Sequence, residues 1–383
     1  MRYLLGPKLV DLRLLSRTGQ FWNNAICSVL SPGLDSYSPR LKTIVLHDTS
    51  LQVTELALSM LPLLQSVTLG VLSDKILNLL SRLVDLEVLD IKIPDDPQGI
   101  KVQFSTDLCT LIMRANTLTL SVNMLEGLGV KCGVLRLISE IPETALAAEN
   151  VLRKLSDHAL CDGLEVIQLH TPKSGGHNQY TFHLDTFTML RFSGLKSIHL
   201  STIGMSCLDD DTLGSLVRSL PHLEELVIGT KYFWSTPPRT TFKGIVTVLS
   251  SCPNLRMLGL VFDATKLGPS TPTQMLGDGV CNTNITSLGV GFSPIEQTPG
   301  VALALWEILP CLSEIYLEFG THAGPDRDAR VTKWGDVMKY INYHKLVWNR
   351  YDTCSTHVYI FILRFNDPLM VLVRTLFLLD LSS

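Results

Sequence analysis

The pattern Leu-x-x-Leu-x-Leu, or a conservative variant of it, starts at Leu9, Leu41, Leu64, Leu86, Ala115, Cys132, Leu164, Leu195, Leu223, Leu255, Ile285 and Leu312. The spacings between successive starts run from 17 to 32 residues, averaging about 28, at the long end of the leucine-rich-repeat period. Few folds are open to such a chain. A unit of this length cannot bury its apolar face alone, so copies must stack and cover one another. The copies at Ala115 and Cys132 are degenerate, and the pattern leaves their phase open.

Residues 209–228, DDDTLGSLVRSLPHLEELVI, show the unit in full. Leu213, Leu216, Val217 and Leu220 fall at i, i+3, i+4 and i+7, which puts them on one face of a short helix. Asp209, Asp210 and Asp211 supply an N-cap and favourable charge at its positive end. Pro221 stops the helix, and Leu226 and Ile228 then alternate with outward residues, as in a strand buried on one side. The helical half recurs. Ile76, Leu79, Leu80 and Leu83 lead into Leu86, and Ala302, Leu305, Trp306 and Leu309 lead into Leu312 in the same phase. Phe242, Ile245, Val246 and Leu249 lead into Leu255 through a longer turn. Thr298-Pro299 reads as an N-cap followed by proline at the first helical position.

These two patterns predict an α/β fold, a leucine-rich-repeat solenoid with parallel strands on the concave face and helices on the convex face. A solenoid grows without a central core, so 383 residues fit one elongated domain. Residues 1–40 read as an N-terminal partial repeat or cap, 41–341 as the solenoid, and 342–383 as an atypical apolar C-terminal tail. The tail is interrupted by Arg364, Asp367, Pro368 and Arg374, so a membrane anchor is disfavoured. Four polar excursions, at 171–177, 229–238, 262–284 and 320–332, follow strands and are expected on one edge.

Hydrophobic residues make up 46% of the chain and the mean hydropathy is +0.25, as expected where every repeat buries two apolar faces. The net charge is −4, with both signs interspersed, which argues against a nucleic-acid surface. The nine cysteines are scattered, and Cys252 and Cys311 precede strands as small buried residues. They read as reduced core thiols, and with no signal-peptide pattern at the N-terminus the expected compartment is the cytoplasm or nucleus.

No P-loop, HExxH, GxSxG or GxGxxG is present, nor a Cys/His cluster at metal spacing. The three aspartates at 209–211 suit a helix cap better than a cation, and His170 and His199 lack a third ligand. No catalytic residue, metal or cofactor is expected. Binding is. Outward strand positions offer Arg136, Gln168, His170, His199, Glu225, Glu314, Tyr316 and Glu318, beside apolar Val88, Val134, Ile138, Val166, Val227, Met257 and Val261, a mixture suited to a protein partner. Lys231, Tyr232, Phe233 and Trp234 place three aromatics beside a base in a loop, as interface anchors do.

The segments LPHLEELVI (220–228), CPNLRMLGLVFDA (252–264) and LPCLSEIYLEF (309–319) resemble the leucine-rich-repeat region of fungal F-box proteins, over about residues 41–341. That resemblance implies a non-enzymatic substrate receptor for a Skp1-cullin ubiquitin ligase, in which the repeats select the protein to be modified. No F-box is recognised near the N-terminus, so no residue is assigned to the adaptor. The alternative is a structural scaffold or sensor fragment, such as the repeats of an immune-type receptor or a GTPase regulator.

Overall fold

The computed structural model describes residues 6–15, 38–47, 49–96, 101–156, 163–172, 194–204, 208–231, 237–267, 279–317, 327–351, 361–363 and 370–372. Within these, the strands are β1 (Asp11–Leu15), β2 (Thr43–His47), β3 (Ser66–Leu69), β4 (Val88–Lys92), β5 (Val102–Gln103), β6 (Leu108–Ala115), β7 (Leu128–Gly129) and β8 (Cys132–Ser139). They continue with β9 (Val166–His170), β10 (Ser197–Leu200), β11 (Glu225–Ile228), β12 (Met257–Leu260), β13 (Ser287–Gly289), β14 (Glu314–Tyr316), β15 (Phe361–Leu363) and β16 (Met370–Leu372). The helices are α1 (Leu51–Met60), α2 (Asp74–Leu80), α3 (Leu118–Gly127), α4 (Ala145–Ser156), α5 (Asp210–Arg218), α6 (Phe242–Ser251), α7 (Thr298–Ile308) and α8 (Arg327–Tyr351).

Twelve strands form one parallel sheet in the order β1-β2-β3-β4-β6-β8-β9-β10-β11-β12-β13-β14. Each strand of it pairs with the strands of the units before and after it, so the array is a leucine-rich-repeat solenoid. β5 and β7 make a small parallel pair, and β15 and β16 an antiparallel one.

The unit at 209–228 folds as its spacing requires. Leu213, Leu216, Val217, Leu220, Leu223, Leu226 and Ile228 are all buried, each fully buried leucine contributing about 1.5–3 kcal/mol relative to exposure. Inward strand positions and the helices' buried faces merge into one continuous core along the array, so each repeat covers the next. Successive units are also tied by their backbones. The Lys42 carbonyl accepts the Gln65 and Ser66 amides, Gln65 accepts Glu87 and Val88, and Glu87 accepts Cys109 and Thr110.

That last link corrects the copy assigned to Ala115. The unit starts at Leu108, with Leu111 and Met113 turned inward, and Ala115 is the last residue of β6. The alternation was hidden because Ile112, an apolar residue, occupies an outward position and methionine replaces the third leucine. Cys132 pairs with Leu108, so the Cys132 copy keeps its phase. These irregular-looking units carry the longest strands of the sheet, eight residues each.

Three smaller expectations are also corrected. Gln297 precedes α7 without a side-chain cap bond, and Thr298 is the first helical residue, a one-residue shift of the kind common at helix ends. Cys311 is exposed, like Cys109 and Cys281, whereas Cys132 and Cys252 are buried; all five are free thiols. Val261 is buried instead of outward.

At the C-terminal end α8 runs through the boundary drawn at 341/342 and covers the last repeat. Trp334, Val337 and Ile341 lie along one of its faces and are fully buried. The Trp334 indole donates to the Ser293 carbonyl at 3.1 Å and meets Phe262 edge-on, with ring centres 5.8 Å apart.

Candidate functional site

The sheet has one face in the core and one left open. Strand register sets the open face in rows, because side chains alternate along each strand and paired residues sit side by side across strands. The central row runs Asp90, Ile112, Arg136, Gln168, His199, Val227, Gly259, Gly289 and Tyr316. A flanking row runs Val88, Thr110, Val134, Val166, Ser197, Glu225, Met257, Ser287 and Glu314. Arg136, Gln168, His199 and Tyr316 therefore share one line, and Glu225 and Glu314 lie in the next. His170 falls in a third row, opposite Ile138, so it is not in line with His199.

Polar groups on this face are largely matched to one another. Arg114 donates bidentately to Asp90 through Nε and Nη2, each at 2.9 Å, and Lys92 pairs with Glu140 at 2.8 Å. Glu225 accepts from the Ser197 hydroxyl at 2.8 Å and faces the His199 ring nitrogen Nε2 at 2.9 Å. Burial pushes the Glu225 carboxyl up, but the hydrogen bonds from His199 and Ser197 hold it below its ordinary value. The Tyr316 hydroxyl donates to Glu314 at 2.6 Å, which raises the phenol's pKa. His170 is lowered, first by burial and then by the charge of Lys231. Among the described residues, Arg136 and Gln168 have no hydrogen-bond or ion-pair partner.

A feature absent from the sequence expectations closes part of the face. Thr230, just after β11, is buried and its methyl lies over Gly259 and Gly289. A Cβ on Gly259 would stand 2.9 Å from Val227 Cγ1 and 3.2 Å from that methyl, and one on Gly289 3.2 Å from the Gly259 Cα and 3.5 Å from the methyl. Gly291, at φ +49°, lets the Thr230 backbone approach, since a Cβ there would be 2.6 Å from the Thr230 carbonyl oxygen. Glycine at the same outward position of two successive repeats was the available signal, because such a glycine marks close approach of other backbone. Lys231 follows, half-buried, its amide donating to Ser201 at 2.8 Å. Tyr232, Phe233, Trp234 and Glu318 lie outside the described residues, as does much of each polar excursion.

Two of the three aspartates accept hydrogen bonds at helix starts, and Asp211 is exposed in the first turn. Asp209 accepts from the Thr212 amide and hydroxyl at 2.9 and 2.6 Å, and Asp210 reaches into the next repeat to accept from the Thr241 amide and hydroxyl at 2.7 and 2.6 Å. Among the described residues, no group of three His, Cys, Asp or Glu side chains is placed to hold a metal ion. No described helix is long and apolar enough to cross a membrane.

No family model matches the sequence, and no curated protein matches it. Among solved structures, the chain is similar to an internalin from Listeria monocytogenes at 13% identity, over 78% of this chain and 89% of that one, with a TM-score of 0.38.

Proposed function

We propose that the chain is a non-enzymatic protein-recognition solenoid that binds its partner on the open face of the sheet. The observation that carries this is the stretch around Arg136 and Gln168. Two polar side chains with unspent hydrogen-bonding capacity stand among half-exposed β-branched residues on a rigid sheet, which is how interface anchors are presented. Lys231 adjoins the Thr230 closure, and Tyr232, Phe233 and Trp234, next to it in the sequence, are the aromatic residues assigned to partner binding by their chemistry. His170, His199, Glu225, Glu314 and Tyr316 belong to the polar part of the open face. The cytoplasm or nucleus is the compartment that suits the free thiols.

A finer reading, supported by the resemblance of 220–228, 252–264 and 309–319 to fungal F-box repeats, makes the partner a substrate of a Skp1-cullin ubiquitin ligase. Affinity purification of the protein from its own cells, followed by mass spectrometry, tests both readings. Recovery of Skp1-type and cullin subunits supports the receptor role. Their absence, with another protein recovered reproducibly and lost when Tyr232, Phe233 and Trp234 are changed to alanine, supports a free-standing recognition module and retires the ligase role.

A further inference from the structure

On the open face of the sheet, most described cations are matched within the chain. Arg13 pairs with Asp11 at 3.0 Å, Lys92 with Glu140 at 2.8 Å and Arg114 with Asp90 at 2.9 Å. Arg136 on β8 is the exception. It is exposed, it has no partner among the described residues, and the nearest row acid, Asp90, is already held bidentately by Arg114. Its immediate surroundings are apolar. Val134 and Ile138 flank it on its own strand, and Ile112 faces it from β6. Gln168 faces it from β9, also unpartnered.

We infer that the open face of β6, β8 and β9 docks an extended acidic peptide segment of a partner protein, with one carboxylate seated on Arg136 and apolar side chains on either side of it. This rests on the recognition reading above and names the chemistry of the partner. A guanidinium presents a planar fork of donors that fits a carboxylate bidentately, and the Gln168 amide adds donors beside it. The apolar floor excludes water around the pair and strengthens it. Valine and isoleucine at alternate outward positions suit apolar side chains of an extended segment, whose own side chains alternate with the same period.

The limits of the patch point the same way. Toward β12 and β13 the face is closed by Thr230 over Gly259 and Gly289, and toward β4 the charges are spent on each other. Between these limits lie β6, β8, β9, β10 and β11, and on β10 and β11 Glu225 is matched to Ser197 and His199. The part left unmatched is β6, β8 and β9, roughly 14 Å wide at the usual strand spacing, enough for a peptide of a few residues crossing the sheet. A single unmatched cation also discriminates between anions. A dianionic phosphate needs more than one positive group, and Lys92 and Arg114 are both engaged, so the matching group is a carboxylate.

The test is a random peptide-display selection on the full chain, followed by fluorescence anisotropy of the selected peptides. Each is measured against wild type, Arg136→Gln and Gln168→Trp, the last as a block of the face. The expected peptides carry Asp or Glu between apolar residues. Arg136→Gln weakens them about tenfold or more, as loss of a charge-assisted hydrogen bond should. Changing the peptide's acid to its amide costs a similar factor, and the two changes together cost little more than either, which marks a direct pair. Peptides blocked by Gln168→Trp but indifferent to Arg136→Gln would overturn the carboxylate assignment and leave open-face recognition standing. Phosphoserine variants binding more than tenfold tighter than the acids would overturn it too. Peptides indifferent to both substitutions, or a selection yielding none, would overturn the inference and open-face recognition together.

Discussion

Replacing the three aspartates at 209–211 one at a time separates a helix cap from a cation site. In Asp209→Ala the Thr212 amide loses its acceptor, 2.9 Å away, and the Thr212 hydroxyl loses its own at 2.6 Å. Loss of an N-cap of this kind costs about 1 kcal/mol. Asp210→Ala strips two bonds from Thr241 in the following repeat and should cost about 1–2 kcal/mol, solvent recovering part of the charge-assisted value. Asp211 is exposed and contributes through the helix dipole, so its replacement should cost only about 0.3 kcal/mol. Asp209→Asn keeps a good capping acceptor and should fall within about 0.5 kcal/mol of wild type. The pH dependence has a definite sign. Hydrogen bonds from the Thr212 hydroxyl and amide hold the Asp209 carboxyl below its ordinary 3.8, so its contribution is present above that value and lost as pH falls through the lower folded one. The gap between wild type and Asp209→Ala should be flat from neutral to mildly acidic pH and close below 3.8. Urea unfolding gives the magnitudes. Amide exchange gives the place, at Thr212 for the first variant and at Thr241, in the next repeat, for the second. Equal costs at all three positions, or a rise in the urea midpoint on adding calcium, would refute the capping account.

Other consequences follow from the same geometry. Gly291→Ala forces a side chain into a left-handed backbone and into Thr230, and should destabilise by about 2 kcal/mol or more, whereas Gly279, also left-handed at φ +80° but with nothing within 4 Å, should lose only about 1 kcal/mol; urea midpoints of the two alanine variants decide it. Burial pushes the Cys132 thiol up to about 12 and Cys252 up to about 11, so on the native protein at pH 8 alkylation followed by mass spectrometry should label Cys109, Cys281 and Cys311 and spare these two. Because those folded values are raised, the unfolded chain ionises first, and native stability should fall as pH rises from about 9 toward them. Trp334→Ala removes a buried ring and its hydrogen bond to Ser293 and should cost about 3–5 kcal/mol, seen as lost amide protection in α8 as well as a lower urea midpoint.

Much of this fold is legible in the sequence because the repeat repeats its mistakes as well as its rules. Leu226 and Ile228 could be placed inward from spacing alone, since a one-residue slip would expose both, and eleven of the twelve pattern starts lie two residues before a strand or open one directly. The twelfth, Ala115, failed where an apolar Ile112 faces outward and erases the alternation that locates a strand. The helix cap at Asp209 was readable from local chemistry, but the reach of Asp210 to Thr241 was not, because it depends on how two repeats stack. For the same reason the pairing of Asp90 with Arg114 and the seat of Thr230 on Gly259 and Gly289 were hidden, being contacts between residues more than twenty positions apart. Arg136 and Gln168 could be assigned to the outward face from sequence. That they are the groups left without partners there required the neighbours to be in place.

Site-specific photo-crosslinking of the protein in its own cells tests open-face recognition most directly, with the crosslinking residue placed at Gln168 on the open face or at Asn78, exposed on α2. The expected result is a partner protein captured from Gln168 and not from Asn78. Capture from Asn78 with none from Gln168 would contradict recognition by the open face of the sheet.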